Sequence, residues 1–246
     1  MSHGNALTFR QDILRFLQII RWPVALLIAL WAIHGMDVLF ELKLYRFGIF
    51  PRSLQEWSGI LTAPFVHGSW GHLASNSIPW LALTSMMIVF YPRVALQVSL
   101  LLWILTGVSV WLFARPSYHI GISGIIYGYI SFIFWTGIFR KNRRAILLSF
   151  IVLILYAGSV ESIFPNTEKG ISWESHLSGA IVGLLLAFVF KNVLEGEEIP
   201  QFQTDQTNDA AETRYFLPRD AFEKTRLQRY YEQLEREMQA GNESSD

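Results

Sequence analysis

Long apolar runs alternate with short polar segments along most of the chain. Six of these runs come close to the roughly 17 to 25 residues that a helix needs to cross a bilayer. They are Trp22–Phe40, Gly71–Phe90, Val94–Phe113, Ser123–Phe139, Ala145–Val160 and Ser175–Phe190. The pattern predicts an all-α, polytopic membrane protein in which residues 22–191 form a bundle of six transmembrane helices.

Three segments lie outside these helices. Residues 1–21 carry charges, and no small-residue cleavage site follows the first apolar run, so we expect a cytoplasmic segment and a first run that stays as an anchor. Residues 41–70 are too apolar for a simple water-exposed loop and predict an interfacial element, with a folded external loop as the alternative. Residues 192–246 predict a tail: a disordered linker and then a helix over about 220–240.

The basic residues indicate the orientation of the bundle. Four cations crowd the connection between the fourth and fifth runs, whereas the next connection is mainly acidic. The basic connection should therefore be cytoplasmic, although Lys43, Arg46, Arg52 and Arg115 fall on the other side. Six crossings put both termini in the cytoplasm and start the second, fourth and sixth helices at the outer face.

Composition limits the chemistry. The chain is 52% hydrophobic and 16% charged, with a mean hydropathy of +0.30. It has no basic stripe of the kind that binds nucleic acid, so we expect no nucleic-acid partner. With no cysteine, disulfides, thiolate metal sites and a cysteine nucleophile are excluded. Serine, histidine and carboxylates must carry any catalysis.

Four polar side chains near the starts of the even-numbered helices stand out. His72 and Asn76 belong to the second helix, Ser123 to the fourth and His176 to the sixth. A polar group inside a spanning segment is costly unless it is satisfied, which makes it a candidate functional residue. Because these helices all begin at the outer face, the four side chains should share one depth.

Ser123 is the candidate nucleophile. It stands between Gly121 and Gly124, which allow a tight entry into the helix. A serine hydroxyl needs a base to remove its proton, and His176 at the same depth can serve as that base. Tyr127 lies four residues after Ser123 on the same helix face, where its ring could restrict the imidazole.

His72 and Asn76 could stabilise a developing oxyanion. Their spacing of four residues places both on one face of the second helix. The unpaired N–H groups at the start of the fourth helix would add further donors. Donors of this kind complete a site for acyl transfer.

Other interpretations of these residues remain open. The Gly124–Gly128 and Gly179–Gly183 repeats are typical of close helix packing, so glycine at these positions need not indicate catalysis. The same packing would draw the fourth and sixth helices together and bring Ser123 toward His176. A zinc site could use the three histidines His67, His72 and His176, but the sequence lacks a helical His-Glu-x-x-His pairing, and we expect no metal and no cofactor. We interpret His34, Asp37 and His119 as interfacial or structural.

Three motifs resemble those of a known family. Residues 65–76 read Phe-Val-His-Gly-Ser-Trp-Gly-His-Leu-Ala-Ser-Asn, residues 121–124 read Gly-Ile-Ser-Gly before Tyr127, and residues 176–183 read His-Leu-Ser-Gly-Ala-Ile-Val-Gly. In this order they resemble the rhomboid intramembrane serine proteases over about 61–190. The resemblance implies a rhomboid-like bundle, a Ser123–His176 dyad, and a role for His72 and Asn76 in binding the oxyanion.

The resemblance also implies the substrates, which would be transmembrane proteins cleaved near the outer face, and membrane lipid would surround the chain. The compact six-helix form and the lack of a transit-type leader favour the bacterial inner membrane over an organellar one. A non-catalytic relative that binds transmembrane clients is the alternative function. Two departures stand out: Trp57 is followed by Ser58 where many members have Trp-Arg, and residues 86–93 lack the glutamate that many carry late in the second helix.

Overall fold

The protein is all-helical in the part of the chain that the structure describes. The structure is a computed structural model that describes residues 3–165, 172–196 and 224–243. The chain forms two compact units, Met1–Pro200 and Gln201–Asp246. Within the described residues, the strand-like pairing is limited to one isolated antiparallel bridge between Ile49 and His119.

Seven α-helices form the described part of the first unit. They are α1 (His3–Phe40), α2 (Gly59–Thr62), α3 (Trp70–Phe90), α4 (Ala95–Phe113), α5 (Ser123–Arg140), α6 (Arg143–Tyr156) and α7 (Trp173–Val189). Short 3-10 segments cover 44–47, 63–65 and 157–163. The helix bounds follow the second to sixth apolar runs closely, except that the fifth run ends in the 3-10 segment 157–163 and not in α-helix.

The first helix is much longer than its apolar run. We expected a start at Trp22, whereas α1 begins at His3 and continues through Pro23. No glycine or proline lies between Asn5 and Trp22, so nothing in this charged segment ends the helix. Hydropathy therefore marks the part of α1 suited to a membrane and does not mark where the helix begins.

Four helical stretches are long and apolar enough to cross a membrane, judged by length and composition among the described residues. They are Leu17–Phe40, Trp70–Phe90, Ala95–Phe113 and Arg143–Ile163. α7 is shorter, and the 18 residues of α5 include glycine, serine and threonine at buried positions. These small residues lower the hydropathy of α5, whereas α7 differs from the four stretches by its length of 17 residues. Together the apolar helices make this a multi-pass membrane protein.

α5 lies at the centre of the bundle and α6 lies at its edge. Twelve of the 18 residues of α5 are buried, and Phe132 and Ile133 have no exposed surface. In α6, by contrast, Leu147, Ile154 and Leu155 are each at least 60% exposed. Such an apolar outer face suits contact with lipid, where exposure of a leucine carries no hydrophobic penalty.

The connection between α1 and α3 is fastened to the end of α4. Arg52 donates a hydrogen bond to the carbonyl oxygen of Ala114 (2.9 Å), and the indole N–H of Trp111 donates to the carbonyl oxygen of Ser53 (3.0 Å). Trp57, in contrast, is 57% exposed. Arg52 is thus a cation that holds this connection in place, in a chain that lacks the Trp-Arg pair.

At the other end of the bundle, the segment after α7 contacts the turn between α3 and α4. The carboxylate of Glu195 accepts a hydrogen bond from the backbone N–H of Arg93 (3.2 Å), and the Arg93 guanidinium donates to the carbonyl oxygen of Leu194 (2.6 Å). A buried glutamate therefore does stand near the end of α3, but it comes from the segment that follows α7.

The second unit contains one described helix, α8 (Arg226–Glu243). It begins six residues later than the start that we expected. The expected N-cap Asp220 lies outside the described residues, as does most of the expected linker to Thr213. Lys224 forms an ion pair with Glu232 (2.8 Å), and Leu227 and Tyr231 are exposed.

Candidate active site

Ser123 is the first residue of α5 and is 6% exposed. The chain enters the helix through Gly121, whose φ of 103° is a left-handed conformation that glycine adopts without strain. The N–H of Gly121 donates to the carbonyl oxygen of Ala63 (2.9 Å), which fixes the turn against the first connection. Ser123 therefore stands at a helix start whose N–H groups have no intrahelical partners.

His176, in the first turn of α7, reaches the Ser123 hydroxyl. Its Nε2 lies 2.9 Å from Ser123 Oγ, and both side chains are buried. Its Nδ1 lies 3.0 Å from the carbonyl oxygen of Ser162. A carbonyl can only accept, so Nδ1 carries the proton that donates to Ser162, and Nε2 is left to accept the Ser123 O–H. The imidazole is thus held in the tautomer that a general base requires.

Tyr127 covers the face of this imidazole. The two rings stack with centroids 4.1 Å apart and planes inclined by 13°. The Tyr127 hydroxyl donates to the carbonyl oxygen of Ser159 (2.8 Å), in the same 3-10 segment as Ser162. Stacking and hydrogen bonding together limit rotation of His176.

Close contact between α5 and α7 sets the distance between the two side chains. A Cβ atom on Gly179 would collide with the carbonyl oxygen of Gly124, and one on Gly183 would collide with that of Gly128. The two glycine pairs that the sequence singled out therefore face each other across the helix crossing. Glycine is required here because the backbones approach too closely for any side chain.

His72 and Asn76 lie on α3 beside the turn that precedes Ser123. A Cβ atom on Gly121 would lie 2.8 Å from His72 Cε1, 3.0 Å from His72 Nε2 and 3.8 Å from Asn76 Nδ2. The imidazole and the amide therefore border the backbone two residues before the hydroxyl. This places two side-chain donors and the N–H groups at the start of α5 around one small region.

His67 is a member of this cluster that the sequence analysis considered only as a zinc ligand. It is 2% exposed, and its Nε2 lies 3.3 Å from Asn76 Nδ2, so the amide donates to it. The rings of His67 and His72 are 5.1 Å apart. Within the described residues, no group of three histidine, aspartate or glutamate side chains could hold a metal ion. By accepting the hydrogen bond from Asn76 Nδ2, His67 orients the Asn76 amide.

The remaining polar residues in question have structural contacts. Asp37 accepts a hydrogen bond from the N–H of Leu44 (3.0 Å) at the end of α1. His34 is buried against the ring of Trp70, with centroids 4.5 Å apart. His119 is also buried, between the first connection and the start of α7.

Fold and site together define a class: a multi-pass helical membrane protein in which a serine and a histidine from two glycine-packed helices meet in a buried cluster. Comparison with known proteins identifies the family. The profile of the Rhomboid domain matches residues 54–193, more than half of the chain. The chain belongs to the rhomboid family.

Individual relatives agree with this assignment. An uncharacterized protein of Mycobacterium tuberculosis is 32% identical over 168 residues, which is 65% of this chain and 70% of the relative. The corresponding uncharacterized protein of Mycobacterium bovis matches to the same extent. The Rhomboid protease GlpG of Yersinia pestis is 33% identical over 144 residues, which is 55% of this chain and 48% of that protein.

Proposed function

We propose that the chain is an intramembrane serine endopeptidase that cleaves transmembrane segments of other membrane proteins through Ser123 and His176. The observation that carries this proposal is the 2.9 Å contact between Ser123 Oγ and His176 Nε2, with Nδ1 occupied by the Ser162 carbonyl. Membership of the rhomboid family and the likeness to a protein described as a rhomboid protease support it.

The reaction is acyl transfer in two halves. His176 Nε2 takes the proton from Ser123 as Oγ attacks the scissile carbonyl carbon. His72, Asn76 and the N–H groups at the start of α5 stabilise the negative oxygen that forms. His176 then gives its proton to the leaving amine, and the same base activates the water that hydrolyses the acyl-enzyme. The Ser162 carbonyl and the Tyr127 ring orient the base, with no carboxylate in contact with the imidazole among the described residues.

The substrate would have to unwind before cleavage. Peptide bonds in an intact helix are poorly accessible, and unwinding in lipid leaves backbone groups without hydrogen-bond partners. A transmembrane segment that loosens near the membrane surface, at the depth of Ser123, is therefore the proposed substrate class.

We further propose that the chain crosses the bacterial inner membrane six times, through α1, α3, α4, α5, α6 and α7, with both termini cytoplasmic. The domain from 22 to 191 is then the catalytic unit, 41–70 lies in the outer interface, and 192–246 is a cytoplasmic tail. Because the chain has no native cysteine, single cysteines at Lys141 and Ser53 can test this with an impermeant thiol reagent in intact cells. Labelling at Ser53 alone is expected, and labelling at Lys141 alone would reverse the topology.

Replacing the nucleophile tests the activity. The full-length chain in proteoliposomes should react with a fluorophosphonate probe and cleave a model transmembrane substrate, and Ser123→Ala should abolish both, a loss of at least about 10⁴-fold. Ser131→Ala is the matched control: Ser131 is also buried in α5, but its hydroxyl donates to the carbonyl oxygen of Ala180. Retained cleavage by Ser123→Ala would overturn the proposal, and substrate binding without any cleavage would favour the client-binding alternative.

A further inference from the structure

His119 is a buried histidine with no part in the chemistry described above. It lies in the connection between α4 and α5 and is 2% exposed. Its backbone pairs with that of Ile49 in both directions, each N–H donating to the other residue's carbonyl oxygen at 2.9 Å. The backbone just before the Gly121 turn is therefore tied to the first connection.

The hydrogen bonds of the His119 ring determine its proton positions. Nε2 lies 3.0 Å from the carbonyl oxygen of Arg115, which can only accept, so Nε2 carries a proton. Nδ1 lies 2.6 Å from Ser172 Oγ. Burial lowers the pKa of His119, which lies outside the spanning helices, and so favours the neutral ring. In that form Nδ1 accepts a hydrogen bond from the Ser172 hydroxyl.

Ser172 is the N-cap of α7. Its oxygen accepts a hydrogen bond from the N–H of Ser175 (3.3 Å) and lies 2.7 Å from the Ser175 hydroxyl. With its own proton directed to His119, the Ser172 oxygen presents its lone pairs to the first turn of α7. The next residue in that turn is His176.

A second contact joins the same two segments. The Arg115 guanidinium lies 3.3 Å from the carboxylate of Glu174, which is 7% exposed. The connection that leads into Ser123 thus holds the first turn of α7 at two points. His119 precedes Ser123 by four residues, and Ser172 precedes His176 by four residues. The His119–Ser172 hydrogen bond therefore links the segment that precedes Ser123 to the segment that precedes His176.

We propose that His119 is a positioning residue which, through Ser172, sets the start of α7 and so the placement of His176 Nε2 against Ser123 Oγ. This inference rests on the proposed function. A positioning role differs from a purely space-filling role in two ways. It depends on one side-chain atom, Nδ1, and its loss lowers the rate of the chemical step.

Three substitutions of His119 in the full-length chain test this role in proteoliposomes. His119→Ala should lower kcat roughly 10- to 100-fold, since a displacement of about 1 Å can cost about 10²-fold, while KM stays within about twofold. His119→Asn should restore most of the rate, because its side-chain oxygen can stand near the Nδ1 position and accept from Ser172. His119→Gln should not, because its amide stands near the Nε2 position.

Cap variants provide matched controls. Ser172→Ala should reproduce the kcat loss of His119→Ala. The double variant should be no slower than either single variant, because both substitutions remove the same contact between His119 and Ser172. Asn142→Ala removes the side-chain cap of α6, where Asn142 Oδ1 accepts from the N–H of Ala145 (2.7 Å), and should leave kcat unchanged. The thermal midpoint of each variant, measured in parallel, reports the loss of folding stability separately from the loss of rate.

The outcomes separate this inference from the proposed function. If wild type shows no reaction at Ser123, the proposed function fails and the positioning role fails with it. If wild type is active but His119→Ala keeps its kcat, only the inference is overturned. Equal losses in the Asn and Gln variants, tracking their thermal midpoints, would also overturn it and assign His119 a purely structural role.

Discussion

α7 and α6 both flank the central helix α5, but they contact it in different ways. α7 meets α5 backbone to backbone, with Gly179 and Gly183 against the carbonyls of Gly124 and Gly128. α6 meets α5 mainly at Ser149, which packs against Gly137 of α5 and whose hydroxyl lies within hydrogen-bond distance of two α5 carbonyl oxygens at 2.7 and 3.1 Å. The outer face of α6 is exposed and apolar.

Because of this difference, α7 and the segment after α6 control different properties of His176: its distance from Ser123 and the position of its proton. The distance from Nε2 to Ser123 depends on how closely α7 approaches α5. The proton on Nδ1 depends on the Ser162 carbonyl, which belongs to the 3-10 segment that continues from α6. Position and tautomer of the His176 imidazole therefore have separate structural sources, and substitutions can affect one without the other.

Among substitutions that test this comparison of α6 and α7, the largest effect is expected for Gly179→Ala. The added methyl group would collide with the carbonyl oxygen of Gly124 and force the two helices apart. Such overpacking costs about 1 to 3 kcal/mol, and a separation of about 1 Å should lower fluorophosphonate labelling by roughly 10²-fold. Labelling rate and thermal midpoint measured together check this, and wild-type labelling by the variant would show that the helix distance does not control the site.

Tyr127 should give the next largest effect because it contacts both the base and the segment after α6. Tyr127→Ala removes the ring stacked on His176, and we expect a loss of cleavage rate of about tenfold, the equivalent of about 1.4 kcal/mol. Tyr127→Phe keeps the stack and loses the hydroxyl with its hydrogen bond to Ser159, so a loss of a few-fold is expected. Equal rates for the two variants would show that stacking does not restrain the imidazole.

Ser149→Ala should lower stability without lowering the rate. Its hydroxyl contacts α5 far from Ser123, and loss of a buried hydrogen bond costs about 0.5 to 1.5 kcal/mol. A lower thermal midpoint with an unchanged labelling rate per folded molecule is the expected result. A parallel loss of labelling would mean that α6 also controls the distance between Ser123 and His176.

Gly158→Ala should have the smallest effect and serves as the control for Gly179→Ala. A Cβ atom at this position has nothing within 4 Å. Replacing a glycine in a compatible conformation stabilises by about 0.4 to 1 kcal/mol through the unfolded chain. Labelling should be unchanged and the thermal midpoint equal or slightly higher; a large loss of labelling would show that the 3-10 segment tolerates no added stiffness.

Much of the helical architecture could be predicted from hydropathy. The bounds of α3, α4 and α5 follow their apolar runs within one residue, because a helix surrounded by lipid or by other apolar helices is apolar along its length. The start of α1 could not be found in this way, since a polar segment without glycine or proline continues the helix. The orientation of the bundle in the membrane stays a prediction.

The candidate site also contains features that could be predicted from the sequence and features that could not. Ser123 and His176 could be singled out because polar side chains are rare in apolar runs, and the structure places them in contact. The Ser162 carbonyl could not, since every residue has one and sequence carries no sign of its use. His67 and His119 lie outside the apolar runs, where a histidine is unremarkable until tertiary contacts bury it.

The main-chain oxygen of Ser162 has a practical consequence for genetics. Exchange of the Ser162 side chain leaves that acceptor in place, so a saturation screen of single substitutions would not report on the carbonyl. Shortening the segment by one residue, or replacing an amide by an ester through chemical synthesis, would be needed to expose its contribution. Tolerance to substitution at this position is therefore no measure of its importance.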